Sequence, residues 1–503
     1  MLLPNVIQEY LSQFAYSSSH SMAFHTRMFF TLFTLLFAIH AVVHKNITIR
    51  TLLLILFSLF FYYKAGDYPV VIMITSMAVL NYAIALWLNT YESETQRRNI
   101  AIIGVVINLS VLGYFKYTNF FIHTYYSIFA PHISTDDIPF VKHAVETVGL
   151  SFYTFKALSY LFDVKRRIIQ PCRNFLDFYL YLVFFGNVLM GPIDKASQFI
   201  PQIRQPYSLN IEQAGKAFYW IMVGFFKKAF IADYIYSNFI ARVFDQPNLY
   251  TGFENLTVLY AFGIQIYCDF SGYVDMAMGF SMLLGFQLTA NFNTPFIAQN
   301  MTEFWRRWHI SLSTWFNDYV FMPLSMSLRN WGIWASVFGV LIVFFLSGIW
   351  HNPSWNFVLW GVSHGIVIAF ETATRKQRKK WTKKLPPWLY NSLSWLLTFH
   401  FIIFTYILFN CRELDKISVM LNRIALHFNW DAIPQVWANS YKVFLLVILG
   451  YLLHFTPKIY KEFVIERYIY LPGVIKVLIA VILIVVVYQI QQADSVPFIY
   501  TEY

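Results

Sequence analysis

Long runs of consecutive apolar residues recur from one end of the chain to the other. Examples are MFFTLFTLLFAIHAVV, VVIMITSMAVLNYAIALWL and the segment 444–453. A helix needs about 20 predominantly apolar residues to cross the hydrocarbon core of a bilayer. The runs are continuous, whereas a membrane β-strand alternates with a period of two. The pattern therefore predicts an all-α polytopic membrane protein with about 11 to 13 membrane-embedded helices.

Composition supports a membrane protein throughout. The 503 residues are 58% hydrophobic and only 13% charged, with a mean hydropathy of +0.50. No Gly/Ser linker, internal repeat or soluble domain divides the chain, so we expect a single membrane domain over residues 1–503. Residues 1–26 carry polar positions before the first long apolar run. This order does not fit a cleavable signal peptide, and we expect an interfacial segment there.

The net charge of +11 would suggest a nucleic-acid partner in a soluble protein, but its placement indicates a membrane surface. The densest basic run, RKQRKKWTKK, occupies residues 375–384 directly after an apolar segment. The positive-inside rule places this loop in the cytoplasm. The three cysteines lie far apart without metal-ligand spacing, so we expect no metal site.

The most polar part of the apolar sequence is the segment 267–324, which contains TEFWRRWHISLSTWF. A helix over residues 303–316, capped by Thr302, would align Trp305, His309 and Ser313 on one face. Such a histidine is either a functional group or a satisfied core residue. The adjacent Arg306 and Arg307 are expected to neutralise buried carboxylates such as Asp269 or Asp275.

A second polar position interrupts an apolar region in LSGIWHNPSW, residues 346–355. Asn352 and Pro353 fit the N-cap and first position of a new helix, so the preceding helix should end near Trp350. His351 then lies in a helix break, which at membrane depth is tolerated only inside protein or along a cavity. A neutral imidazole there can act as a general base, with Trp350 and Trp355 excluding water. The alternative is a histidine that only caps a kink.

Several blocks of this sequence resemble the membrane-bound O-acyltransferase (MBOAT) family. The blocks are QIYCDFSGYVDMAMGFSMLLGF, NFNTPFIAQNMTEFWRRWHISLSTWFNDYVFMPL and LSGIWHNPSWNFVLWGVSHG, preceded in order by GLSFYTFKALSYLFDVKRR, GPIDKASQFIPQI and GFFKKAFIAD. They are densest over residues 149–365. More specifically, they resemble the bacterial branch that contains the membrane subunits of alginate O-acetylation and of teichoic acid D-alanylation.

The resemblance implies a funnel-shaped bundle of helices that transfers an acyl group across the membrane. The essential histidine of the family falls on His351 and a second important histidine falls on His309. Asn352 replaces the usual glycine of the family, which puts the local loop geometry in question. Residues expected to line the site are Trp305, Ser313, Trp350, Asn352, Trp355 and Asp269.

The resemblance also implies the reactants and the cellular location. The donor would be a cytoplasmic thioester, either acetyl-CoA or an acylated carrier protein, and no tightly bound cofactor is expected. The acceptor would be a hydroxyl on a cell-envelope polysaccharide or on a partner protein. A periplasmic or extracellular partner of the SGNH-hydrolase type is expected, and the location would be the bacterial inner membrane.

Composition alone leaves a transporter or flippase open. In that interpretation the buried residues Asp269, Asp275, Arg306 and His309 would form a substrate or proton path. The ordered blocks around two histidines favour the enzyme.

Overall fold

The computed structural model describes residues 14–17, 22–134, 137–141, 149–187, 189–382, 384–411 and 413–490. Every regular element in these ranges is a helix, which confirms the all-α prediction. Most of the predicted interfacial segment 1–26 lies outside the described residues.

The chain is divided into two compact units. The first unit comprises residues 1–210 and 280–289, and the second comprises residues 211–279 and 290–503. The prediction of a single membrane domain stays a prediction. The helices of the first unit are α1 (Arg27–Val43), α2 (Ile47–Asn89), α3 (Glu94–Leu112), α4 (Thr118–Phe129), α5 (Leu150–Lys165), α6 (Phe175–Val183) and α7 (Ala196–Ile203).

The second unit contains most of the blocks that resemble the MBOAT family. Its long helix α11 extends four residues into the first unit. The helices are α8 (Ile211–Phe225), α9 (Asp233–Ile235), α10 (Ala241–Asp245), α11 (Gly252–Leu283), α12 (Met301–Trp305), α13 (Ile310–Phe316), α14 (Met322–Ser327), α15 (Ile333–His351), α16 (Trp355–Ala373), α17 (Arg375–Trp381), α18 (Pro387–Asn410), α19 (Leu414–Leu426), α20 (Ile433–Phe455), α21 (Lys458–Ile469) and α22 (Gly473–Ile490).

Five described helical segments are long and apolar enough to cross a membrane, or six if the bent pair α21 and α22 is one span. The predicted number of 11 to 13 membrane-embedded helices is therefore not confirmed. One of the five, α2, has 43 residues, which is about 65 Å and roughly twice the thickness of the hydrocarbon core. Non-helical backbone at Gly66 and Asp67, followed by Pro69, divides this helix into two shorter segments.

A reciprocal pair of amide hydrogen bonds joins α2 and α3 inside the first unit. The Asn108 amide donates to Oδ1 of Asn81 at 2.8 Å, and the Asn81 amide donates back at 3.1 Å. Both side chains are fully buried. Each amide also donates to a carbonyl of its own helix, at Met77 or Gly104. Polar side chains in membrane helices commonly hold neighbouring helices together in this way.

We predict that Asn81→Leu destabilises the protein more than the double change Asn81→Leu with Asn108→Leu. The single change leaves the Asn108 amide without its partner in an apolar surrounding, at a cost of about 1 to 3 kcal/mol. The double change removes both polar groups and restores an apolar contact of similar volume. Thermal unfolding in detergent measures the difference, and a double variant less stable than the Asn81→Leu variant would contradict it.

Candidate active site around His351

The helices α15 and α16 form an antiparallel hairpin whose turn lies directly after His351. His351 is the last residue of α15, one residue beyond the predicted end near Trp350, so it belongs to the helix and the break begins after it. Asn352 is extended, with φ −150° and ψ 136°. Its carbonyl accepts a hydrogen bond from the Ser354 amide at 2.8 Å. Because that bond forms a tight turn, α16 begins at Trp355, and the predicted cap at Asn352 and Pro353 is wrong by two residues.

The conformation of Asn352 also resolves the question of the missing family glycine. An extended backbone is available to every residue type, so asparagine introduces no strain in this turn.

Two glycines set the distance between the two helices of the hairpin. A Cβ atom added to Gly361 would lie 2.9 Å from Cα of Gly348 and would also meet the carbonyl oxygen of Phe344. A Cβ atom added to Gly348 would meet the carbonyl of Phe357. The backbones therefore touch at this crossing. Such close approach is typical of small residues at membrane helix interfaces.

His351 is buried in a group of aromatic rings close to this crossing. Its side chain is 4% exposed. The imidazole centre lies 4.9 Å from the Trp350 ring, 5.1 Å from the Trp360 ring and 5.8 Å from the Phe409 ring. All three rings meet the imidazole at steep angles of 66° to 85°. The surroundings of His351 thus limit its contact with water.

His309 lies in a second break, between α12 and α13. Its backbone is left-handed with φ 45°. The carbonyl and Oδ1 of Asn291 accept hydrogen bonds from the Ile310 and Ser311 amides, at 3.0 and 2.9 Å. These bonds fix the start of α13 from outside the local sequence. The predicted continuous helix over residues 303–316 is therefore wrong.

The expected stacking of side chains along that helix does not form. Ser313 is only half-buried, and its hydroxyl donates weakly to the Trp308 carbonyl at 3.4 Å. The N-cap of α12 is Asn300, whose Oδ1 accepts from the Glu303 amide. Thr302 instead donates its hydroxyl to the carboxylate of Glu371 at 2.7 Å.

One indole contacts both histidines. The His309 ring centre lies 6.2 Å from the Trp350 ring, which also lies against His351. On another side the His309 ring meets Phe270 at 4.8 Å. His309 and Trp350 are 0% and 4% exposed. The structure therefore brings together the two predicted catalytic histidines and Trp350 in one buried cluster.

Trp305 belongs to a chain of hydrogen bonds beside this cluster. Its indole Nε1–H donates to Nδ1 of His364 at 3.2 Å, so the proton of this neutral imidazole is on Nε2. Nε2 lies 3.0 Å from the Thr405 hydroxyl oxygen, to which it then donates. The Thr405 hydroxyl donates in turn to the carbonyl of Ile402 at 2.8 Å. This relay joins α12, α16 and α18.

The buried carboxylates of α11 pair with lysines and not with the predicted arginines. Asp269 lies 2.7 Å from the Lys228 ammonium, which also meets Asp233 at 2.8 Å. Asp275 lies 2.6 Å from Lys227. The two lysines are consecutive in a π-helical segment, Phe226–Ala232. The wider turn of a π-helix alters which side chains face a neighbour.

The predicted pairing of Arg306 and Arg307 is therefore wrong. Arg306 is exposed, and Arg307 pairs with Glu303 at 2.9 Å within its own segment. Asp269 is buried as expected, but Lys228 occupies its carboxylate. Trp355 is 48% exposed and does not enclose His351 as expected.

Two site residues that were not predicted from the sequence, Trp360 and His364, both lie in α16. They are four residues apart, so they share one face of the helix next to the glycine crossing. The segment WGVSHG shows this spacing of a tryptophan and a histidine four residues apart. Within the described residues, no group of three or more His, Cys, Asp or Glu side chains could hold a metal ion.

Comparison with known proteins indicates which reaction related chains are named for. The sequence profile of the membrane-bound O-acyltransferase family matches residues 57–412, which contain every residue of the site. A peptidoglycan O-acetyltransferase of Helicobacter pylori is 29% identical over 76% of this chain and 75% of its own length. A probable alginate O-acetylase of Pseudomonas aeruginosa is 33% identical, over 72% and 67%. A teichoic acid D-alanyltransferase of Bacillus subtilis is 29% identical, over 54% and 73%.

We predict that Gly361→Ala destabilises the protein by about 2 kcal/mol, because the added methyl group forces the helices of the hairpin apart. Gly113→Ala is the matched control, since a Cβ atom there meets nothing within 4 Å. Alanine is the better helix former, so the control should be neutral or slightly stabilising. Thermal unfolding in detergent compares the two, and equal unfolding temperatures would contradict the proposed role of the crossing.

Proposed function

The chain belongs to the membrane-bound O-acyltransferase family, and we propose that it transfers an acetyl group from a cytoplasmic thioester to a hydroxyl group presented from the other side of the membrane. The observation that carries the proposal is the buried cluster of His351, Trp350 and His309 within the part of the chain that matches the family.

His351 acts as the general base in this proposal. Its imidazole takes the proton of the acceptor hydroxyl while the oxygen attacks the thioester carbonyl. The tetrahedral intermediate then collapses, the carbon–sulfur bond breaks and the imidazolium returns the proton to the leaving thiolate. The products are an ester and a free thiol, so no proton is gained or lost overall. The aromatic surroundings of His351 disfavour hydrolysis by water.

His309 positions the reactants next to His351 or stabilises the charge that develops on the carbonyl oxygen. This role is supported by the shared contact with Trp350 and by the left-handed backbone at His309, which two hydrogen bonds to Asn291 maintain. Unusual backbone angles that persist in this way are common at functional positions.

The relatives support acetyl as the transferred group. Proteins named for O-acetylation match 76% and 72% of this chain, whereas the D-alanyltransferase of Bacillus subtilis matches 54%. Acetyl-CoA and an acetylated carrier protein are the two candidate donors, because both present the acetyl group as a thioester at the end of a long, narrow arm.

The length of α16 bears on the path of this arm. The helix has 19 residues, or about 28 Å at a rise of about 1.5 Å per residue. Its first residue follows the His351 turn, and its last residue precedes the basic segment 375–384. If that segment faces the cytoplasm, the donor arm must extend along most of this distance to reach His351.

The names of the relatives also bear on the acceptor of the acetyl group. The relatives are named for peptidoglycan, alginate and teichoic acid, which are polymers with free hydroxyl groups. We propose a cell-envelope polysaccharide as the final acceptor, reached through a partner protein of the SGNH type outside the inner membrane.

The transporter alternative is not supported by the positions of its residues. Lysines occupy the carboxylates of Asp269 and Asp275, and Arg306 is exposed. The set predicted for a substrate or proton path therefore does not form one buried chain.

We predict that His351→Ala lowers acetyl transfer by at least about 100-fold, because loss of a general base typically costs 10² to 10⁴ in rate. Purified protein is incubated with radiolabelled acetyl-CoA or acetylated carrier protein and with the native cell-envelope fraction, which supplies the partner and the polysaccharide, and loss of thioester is followed. His309→Ala should also lower the rate.

The control is His427→Ala, which changes an exposed histidine outside the site and should keep the wild-type rate. Equal unfolding temperatures for the three variants show that the change is chemical. Full transfer by a folded His351→Ala variant would contradict the role of His351.

We predict that a cysteine at Lys379 is labelled only from the cytoplasm and a cysteine at Asp431 only from the opposite side. One candidate span, α18, separates the two positions. A membrane-impermeant maleimide applied to intact and permeabilised cells measures this, in a background where the three native cysteines are replaced by serine. Labelling of both positions from one side would contradict the proposed topology.

A further inference from the structure

Trp360 carries a polar group that the mechanism above does not use. Its side chain is 3% exposed. Among the described residues, no group accepts a hydrogen bond from its indole Nε1–H. A buried N–H group without an acceptor costs free energy, and most such groups in native proteins are paired. The unpaired indole N–H group of Trp360 therefore needs an explanation.

None of the rings around Trp360 accepts a hydrogen bond from its Nε1–H through a ring nitrogen. They belong to Trp305, His351, His364 and Phe409, at ring-centre distances of 4.8 to 5.8 Å. Both nitrogens of His364 are engaged in the hydrogen-bond relay, one with Trp305 and one with Thr405. His364 therefore has no free nitrogen to accept from Trp360.

The position of the indole relates this N–H to the reaction. The Trp360 ring lies 5.1 Å from the His351 imidazole and nearly perpendicular to it, at 85°. Trp360 is also next to Gly361, where the backbones of α15 and α16 touch. The indole is thus held beside the proposed base by a rigid part of the hairpin.

We infer that the Nε1–H of Trp360 donates a hydrogen bond to the carbonyl oxygen of the bound acyl thioester. This inference rests on the proposed function. The ligand class is a thioester or another carbonyl compound, which supplies the acceptor that the protein does not. When the hydroxyl attacks, this oxygen becomes negatively charged, and a fixed donor in an apolar surrounding stabilises it strongly. His309 then has the role of positioning the reactants.

A purely structural role for Trp360 predicts a different result. An indole N–H can also face an aromatic ring, in a weak contact that fills space without binding a substrate. In that case the shape of the side chain matters and the N–H group does not. The two roles are separated by replacing the nitrogen while keeping the bicyclic ring.

The first experiment incorporates 3-benzothienylalanine at position 360, where sulfur replaces the indole N–H, and compares this variant with Trp360→Phe. Single-turnover thioester cleavage is measured with the donor that the wild-type protein accepts. We expect both variants to react about 100-fold more slowly, the typical effect of removing one oxyanion donor, with the donor concentration that gives the half-maximal rate changed less than about twofold. The same analogue at Trp388, which is 70% exposed, should leave the rate unchanged.

The second experiment observes the N–H group directly in protein labelled with ¹⁵N-tryptophan. Acetonyl-CoA, a ketone analogue that cannot be cleaved, should shift the Trp360 indole resonance downfield, whereas ethyl-CoA, which lacks the carbonyl oxygen, should not. If the wild-type protein accepts only the acylated carrier protein as donor, the acetonyl and ethyl groups are attached to the carrier protein instead of to CoA. The Trp360→Phe spectrum assigns the signal.

The outcomes separate this inference from the proposed function. A wild-type rate in the 3-benzothienylalanine variant, or equal spectra with both analogues, would overturn the role of Trp360 while leaving acyl transfer intact. If the wild-type protein cleaves neither thioester, the proposed function fails and this inference fails with it.

Discussion

The direct backbone contact between Gly348 and Gly361 is the constraint on which the site depends. Because neither residue has a side chain, α15 and α16 approach closely enough for residues beside the crossing to meet. Trp360 is adjacent to Gly361 in the chain, and His351 follows Gly348 by less than one helical turn. Their rings are consequently 5.1 Å apart. A larger residue at the crossing would separate these rings as well as the helices, so the packing of the hairpin and the geometry of the base have one common cause.

In each of the two units, polar side chains find their partners within the protein. Asn81 pairs with Asn108, and Lys228 pairs with Asp233 and Asp269. Each arrangement is buried and brings different helical segments together. Hydrocarbon provides no water to replace a lost partner, so these groups are fixed more firmly than equivalent surface groups.

The sequence predicted those features that local patterns determine. Continuous apolar runs predicted the all-α fold, and the polar break at LSGIWHNPSW predicted a helix end near Trp350, one residue before the observed end of α15 at His351. Contacts between residues far apart in the sequence explain the predictions that were wrong. Asn291 creates the break at His309, and no pattern within residues 303–316 indicates it. The π-helical segment Phe226–Ala232 presents Lys227 and Lys228 to α11, which a regular helical period does not anticipate. The functional prediction for His309 came from the family resemblance, whereas the local spacing of residues left the role of His309 open.

The lack of water in the interior of a membrane protein also explains why the unpaired indole N–H group of Trp360, near His351, is informative. On the surface of a soluble enzyme, water would satisfy an indole N–H and the group would indicate little. Inside a membrane protein, an acceptor must come from the protein or from a bound molecule. Trp305 and Trp360 are neighbouring indoles in similar surroundings, yet Trp305 has His364 as its acceptor and Trp360 has no acceptor among the described residues. This difference between two otherwise similar side chains separates a group that stabilises the bundle from one available to a substrate.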